Sequence, residues 1–227
     1  MSSPQQTSDS QVAPAAGIPR RGLKRRVFAL MMALGGLAIG WMWYKGSTID
    51  ERLFEAADLR RGMRSQIIGW PGGRTAVQIS RYVDLEADLL WNVVTDQARF
   101  DEFMPYVRQT TVRPGPDGSL IEAQILDLPH ASYELELQIR LETKGNKRQA
   151  RWTQTSGALR FNEGAWVVER VPTGGSLLRY QVSASAGVIP QWFVNFAMTK
   201  RLGKLLEAVE NRARASGGGA ARPENGS

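Results

Sequence analysis

Residues 190–214, PQWFVNFAMTKRLGKLLEAVENRAR, decide the fold. Val194, Met198, Leu202, Leu205, Leu206 and Val209 recur at helical spacing and form one apolar stripe. Lys200, Lys204, Glu207 and Asn211 fall on the opposite side. Pro190 suits a first helical position, where its missing N–H costs nothing, and Ser216 with Gly217, Gly218 and Gly219 stops the helix. At about 1.5 Å per residue this helix is roughly 38 Å long. A one-sided helix of that length needs a broad apolar surface to lie on. Trp192, Phe193 and Phe196 project outside the stripe. Either loops cover them, or they border a cavity mouth or touch a membrane, because apolar residues in excess of a core face mark binding surfaces.

The preceding residues supply the surface. Strand signals begin at Arg74, and 76–83 is rich in β-branched and aromatic residues. Asp84 is placed to cap a helix that runs to about Thr95, with Glu86 and Asp88 in its first turn and Leu89, Leu90, Val93 and Val94 buried. Phe100, Phe103 and Met104 follow in a short second helix that stops at Pro105. From Tyr106 the chain reads as an antiparallel meander. Strands at 107–112 and 120–126 flank a turn at 114–118. Tyr133, Leu135, Leu137, Ile139 and Leu141 alternate with Glu134, Glu136, Gln138, Arg140 and Glu142, so one face is buried and one is wet. Strands over 150–155, 159–171 and 177–186 complete the sheet. A curved sheet closed by a single helix encloses a cavity more readily than a filled core. The expected fold is α+β, with the domain spanning 74–216 and a disordered tail over 217–227.

The N-terminal quarter has a different character. Residues 1–26 form a polar tail ending in Arg20, Arg21, Lys24, Arg25 and Arg26, predicted to be disordered. Residues 27–44 contain no charge and span roughly 27 Å as a helix, close to a bilayer core of about 30 Å. Trp41, Trp43 and Tyr44 stand where an interfacial aromatic belt belongs. The basic residues before this run predict a single-pass signal anchor in the inner (cytoplasmic) membrane, with a cytoplasmic N-terminus and an extracytoplasmic domain. The alternative is an exported soluble protein: Arg25-Arg26-Val27-Phe28-Ala29-Leu30 is similar to a twin-arginine signal, but no small-residue cleavage site follows. Residues 45–73 read as a juxtamembrane connector, with a short helix near 49–62 and a break at Gly69-Trp70-Pro71-Gly72-Gly73.

The net charge of +7 belongs to the ends. Residues 1–26 carry +4, residues 200–227 carry +3, and residues 27–199 hold 18 basic and 18 acidic residues. A neutral folded body argues against nucleic acid as a partner. The absence of cysteine excludes disulfides and thiol chemistry.

Several segments resemble the START-like (SRPBCC) superfamily, in the branch that groups polyketide cyclase/dehydrase-like and coenzyme-Q-binding proteins. They are Leu89-Leu90-Trp91-Asn92-Val93-Val94-Thr95-Asp96 running into Phe100-Asp101-Glu102-Phe103-Met104-Pro105, then Phe161-Asn162-Glu163-Gly164-Ala165-Trp166, Leu178-Arg179-Tyr180-Gln181-Val182 and Ile189-Pro190-Gln191-Trp192-Phe193-Val194. The likeness covers about 75–213. Asp84-Leu85-Glu86-Ala87 departs from it, since the family often has a proline there. The resemblance implies a helix-grip fold with a hydrophobic tunnel between sheet and C-terminal helix, where members hold lipids, polyisoprenoid quinones or aromatic polyketides.

Catalytic chemistry is weakly signalled. His130 is the only histidine, it follows Leu126-Asp127-Leu128-Pro129, and no second histidine exists for a metal site. Glu134, Glu136 and Glu142 occupy a wet strand face. The expectation is a membrane-anchored binding protein or carrier for a hydrophobic small molecule or lipid, with no cofactor, metal or catalytic residue assigned. The alternative is a polyketide cyclase/dehydrase-like enzyme using the same cavity. The expected lining is Phe103, Met104, Tyr133, Leu135, Leu137, Ile139, Trp152, Trp166, Tyr180, Trp192 and Phe196.

Overall fold

The computed structural model describes residues 54–128, 131–185 and 190–218. The tail, the anchor over 27–44, His130 and residues 219–227 lie outside them. Among the described residues no helix is long and apolar enough to cross a membrane.

In chain order the elements are α1 (Ala56–Leu59), β1 (Arg64–Trp70), β2 (Arg74–Val83), α2 (Ala87–Thr95), α3 (Phe100–Phe103), β3 (Val107–Pro114), β4 (Leu120–Leu128), β5 (Ala131–Lys144), β6 (Lys147–Gly157), β7 (Phe161–Arg170), β8 (Ser176–Ser185), α4 (Gln191–Arg201) and α5 (Gly203–Gly218). The eight strands form one antiparallel sheet in the order β1-β2-β8-β7-β6-β5-β4-β3. Strands β3 to β8 are a meander, and β2 closes on β8, so the strand before the helices meets the last strand of the chain. The helices cover one face: α5 packs on α2, β2 and β8, and α4 on β1, β2 and β8. This is the helix-grip arrangement of an α+β fold.

Alternation decides which side chains face the helices. The register places Ile79 opposite Tyr180, Tyr180 opposite Trp166 and Trp166 opposite Ala150. A parallel row runs Val77, Val182, Gly164, Trp152 and Ile139. Leu90, Val94, Leu178, Leu206 and Val209 close the packed part of this layer and are essentially inaccessible.

Four expectations are corrected. The C-terminal helix is not continuous: after Arg201 the chain makes a tight turn at Leu202, where Leu205 N–H donates to Leu202 O at 3.0 Å, and α5 resumes at Gly203. A Cβ at Gly203 would stand 3.2 Å from Met63 Sδ, so glycine lets the helix come this close to the sheet edge. The segment also begins and ends differently, because Pro190 precedes the first turn and α5 continues through Gly218. Second, the sheet starts at Arg64, not Arg74. Trp70 to Arg74 is the bend of a hairpin whose first arm pairs Arg64 with Ser80. Of the helix expected over 49–62, the described residues hold only the single turn α1. Third, Asp84 caps nothing. Glu86 is the N-cap residue of α2, and no side chain bonds to that helix end. Fourth, Leu141 is 48% exposed. Strand β4 begins at Leu120, opposite Ile139, so β5 has lost one neighbour when it reaches Leu141.

Candidate functional site: a hydrophobic cavity under the C-terminal helices

Between the sheet and α4 lies a cavity of about 320 Å³. Its floor is Tyr133, Leu137 and Ile139 of β5, Trp152 of β6, Trp166 of β7 and Tyr180 of β8, and Met104 closes one side. Four other residues expected in the lining are elsewhere. Phe103 stacks edge-on against Phe100 at 5.7 Å and lies under the Arg212 guanidinium of α5. Leu135 is buried in the core beside Gly157, where β5 and β6 slip register. Trp192 and Phe196 share a face of α4 with Asn195, which is fully buried and donates to Thr75 Oγ1 on β2 at 3.0 Å. The cavity takes the adjacent face of that helix: Phe193, Val194, Ala197, Met198 and Arg201. The α4 aromatic that borders the cavity is therefore Phe193, one residue along from Trp192.

The aromatic floor is built by strand register. Tyr180 lies between two indoles, its ring centroid 5.2 Å from that of Trp152 and 4.5 Å from that of Trp166. Trp152 lies across Gly164, where any side chain would collide with the indole and with the Gln181 carbonyl. Its Nε1–H donates to Asn162 Oδ1 at 3.1 Å, which satisfies both polar groups. Offset and tilted aromatic packing of this kind contributes beyond area alone.

The β3 side of the cavity is not apolar. Glu122 of β4 is only 3% exposed and accepts one hydrogen bond, from Thr110 Oγ1 to Oε1 at 3.1 Å. Burial pushes its carboxyl up to about 7, and the Thr110 bond only partly opposes this. Burial also raises the Tyr180 phenol, with the charge of Glu122 adding to the effect. Gln97, 3% exposed at the turn that packs on β3, donates to Val94 O at 3.2 Å. Glu122 escapes a reading based on apolar alternation because it replaces an apolar residue in phase. Leu120, Glu122, Gln124 and Leu126 share one strand face, and Glu122 stands opposite Leu137. An acid in the apolar phase of a strand was the available signal. Among the described residues no group of three metal-ligating side chains could hold an ion.

The profile of the family described as "Polyketide cyclase / dehydrase and lipid transport" matches residues 83–210. No curated protein matches the chain in sequence. Among solved structures, the fold is similar to that of a STAR-related lipid transfer protein from Xanthomonas axonopodis (TM-score 0.57, 17% identity, 72% of this chain and 96% of that one). Human StAR-related lipid transfer protein 5 is similar too (TM-score 0.58, 11% identity, 85% of this chain and 99% of that one). So is the di-domain ARO/CYC StfQ of the steffimycin biosynthetic pathway (TM-score 0.50, 12% identity, 64% of this chain and 51% of that one). The profile spans more than half of the residues, and the sheet, helices and cavity agree with it: the chain belongs to the polyketide cyclase/dehydrase and lipid transport family of the START-like superfamily.

Proposed function

We propose that the protein is a binding protein or carrier for a hydrophobic ligand of the lipid or polyisoprenoid-quinone type. The observation that carries this reading is the cavity. It is bounded by sheet and helices, is mostly aliphatic and aromatic, and has a few polar groups. That is the composition of sites that hold small hydrophobic molecules, and about 320 Å³ is at the small end of their size range. One ring system or one folded chain suits it better than a two-chain lipid. The lipid transfer proteins with a similar fold support the same reading.

The anchor belongs to this proposal. The uncharged run over 27–44, with basic residues before it and aromatics at its end, would hold the domain beside a bilayer from which a ligand partitions. An activity reporter that works only outside the cytoplasm, fused after Ser227, should be active. Activity only of a cytoplasm-dependent reporter would reverse the orientation.

The full-length protein, extracted from membranes and stripped with organic solvent, should release a hydrophobic molecule in near one-to-one amount, identified by mass spectrometry. The emptied protein should take up a polyisoprenoid quinone or a single-chain lipid, seen as quenching of tryptophan fluorescence. A protein that carries nothing and takes up nothing across quinones, single-chain lipids and phospholipids would overturn the reading.

A second reading, a cyclase/dehydrase-like enzyme, is favoured by one observation: Glu122, a buried carboxyl near Tyr180 with a pKa of about 7, has the proton affinity of a general acid or base.

A further inference from the structure

Glu122 and Tyr180 line the cavity with hydrogen-bonding capacity to spare. Glu122 uses Oε1 on Thr110, and Oε2 has no protein partner among the described residues. Gln97 uses its amide N–H₂ on Val94, and its unpaired Oε1 is buried away from the cavity space. The Tyr180 hydroxyl, wedged between two indoles, makes no hydrogen bond to any described residue. Asn162 in the same lining is engaged by Trp152 and offers a contrast. Buried polar atoms are ordinarily paired, so a cluster left open toward a cavity marks where a ligand atom belongs.

We propose that Glu122 and Tyr180 seat the oxygen of an uncharged hydroxyl or carbonyl on an otherwise hydrophobic ligand, and that the cavity rejects carboxylates. This rests on the carrier reading and names the ligand's head group. A hydroxyl can donate to the Glu122 carboxyl while accepting from the Tyr180 phenol. A carbonyl accepts from Tyr180 and from the protonated acid. A carboxylate finds no such match. Among the described residues the one cation in the lining is Arg201, which is exposed. An anion carried past it would lose its hydration and face a second carboxyl without a counter-charge. The remaining titratable groups of the lining among the described residues are Tyr106 and Tyr133, neither of which supplies positive charge. The high proton affinity of Glu122 fits a group meant to meet neutral oxygen.

The test uses two probes with one hydrocarbon body and different heads, retinol and retinoic acid, with pyrene as a hydrocarbon without a head group. All three are titrated into the emptied full-length protein at pH 7.5, read by tryptophan quenching. Retinol should bind at least about tenfold more tightly than retinoic acid. Glu122→Leu should weaken retinol by about tenfold or more and shrink the difference between the heads, with the melting temperature held or raised. Glu122→Gln, which keeps a donor and an acceptor in place, should hold retinol within about threefold of the parent. Equal affinity for the two heads, preference for the acid, or loss of retinol with Gln equal to that with Leu would overturn the head-group inference. Pyrene binding would leave the carrier reading standing in each of those cases. If neither pyrene nor either retinoid binds, both fail together.

Discussion

Helices α4 and α5 come from one continuous apolar period, yet the sheet treats them differently. On α5, Leu206, Val209 and Ala213 are buried among Val77, Ile79, Leu178 and α2 and are fully inaccessible, while Leu205 at its start reaches the cavity. On α4, the same stripe continues as Val194 and Met198, but these are partly exposed to a hollow. The difference lies in what stands opposite. The packed half is covered by α2 as well as by β2 and β8, so its side chains are closed in by both helix and sheet. The hollow half looks toward strands whose inward positions are occupied by flat rings and by Glu122, and these leave space that aliphatic side chains of α4 do not fill. A helix can thus satisfy one periodicity while serving as core at one end and as the roof of a ligand site at the other.

If this contrast is right, equivalent truncations should have unequal costs. Leu206→Ala leaves a void that rigid neighbours cannot close, and such changes cost about 2–5 kcal/mol. Met198→Ala removes a side chain already facing empty space and should cost less than about 1 kcal/mol. Chemical denaturation of the two variants measures both. Equal losses would mean that the hollow half is packed in solution.

The next largest effect is a pH dependence confined to the hollow half. Glu122 has its folded-state pKa raised from 4.5 to about 7 by burial. Folding thus favours the protonated form. The contribution to stability is fully present below pH 4.5, falls as pH rises between 4.5 and 7, and is gone above the folded-state value. The shift corresponds to about 3 kcal/mol as an upper scale. Glu122→Gln should flatten this part of the stability profile and raise the melting temperature at pH 8, whereas a substitution on α5 should leave the slope unchanged. An unaltered slope in Glu122→Gln would mean that the carboxyl is solvated through the cavity mouth.

The packed half was legible from sequence because its rules are periodic. The stripe ending in Leu206 and Val209 and the order of strands and helices follow from hydrophobic spacing. Strand β1 was hidden because Gly69 to Gly73 carries the same turn chemistry whether it ends a linker or bends a hairpin. The site was only partly legible. Met104, Tyr133, Leu137, Ile139, Trp152, Trp166 and Tyr180 come together because apolar residues of a strand face cannot avoid the interior. The α4 side needed the rotation of the helix about its axis. A step of one residue turns a side chain by about 100°, enough to exchange Trp192 for Phe193. Asn195, fully buried against Thr75, is the residue that sets this rotation, and as a polar residue it carries no hydrophobic signal. Glu122 shows the same limit, since periodicity names positions but not exceptions to them.

The smallest predicted effect probes the mouth of the hollow half. Phe193 is 43% exposed and lines the cavity. It touches Trp192 edge-on, with centroids 5.8 Å apart, and shares the lining with Leu128, which is 38% exposed. A ring this accessible buries less area than a core side chain, so Phe193→Ala should cost no more than about 1 kcal/mol. Its effect belongs to kinetics. An aromatic at the mouth obstructs a ligand moving in either direction, so truncation should speed both uptake and release of retinol while the dissociation constant changes less than either rate. Stopped-flow quenching resolves the two rates. Trp192→Ala, on the face turned toward Asn195 and the sheet, should leave both rates near those of the parent. If Trp192→Ala changes the rates and Phe193→Ala does not, the ligand enters on the Trp192 face, and the rotation of α4 in the bound protein differs from the one described by its hydrogen bond to Thr75.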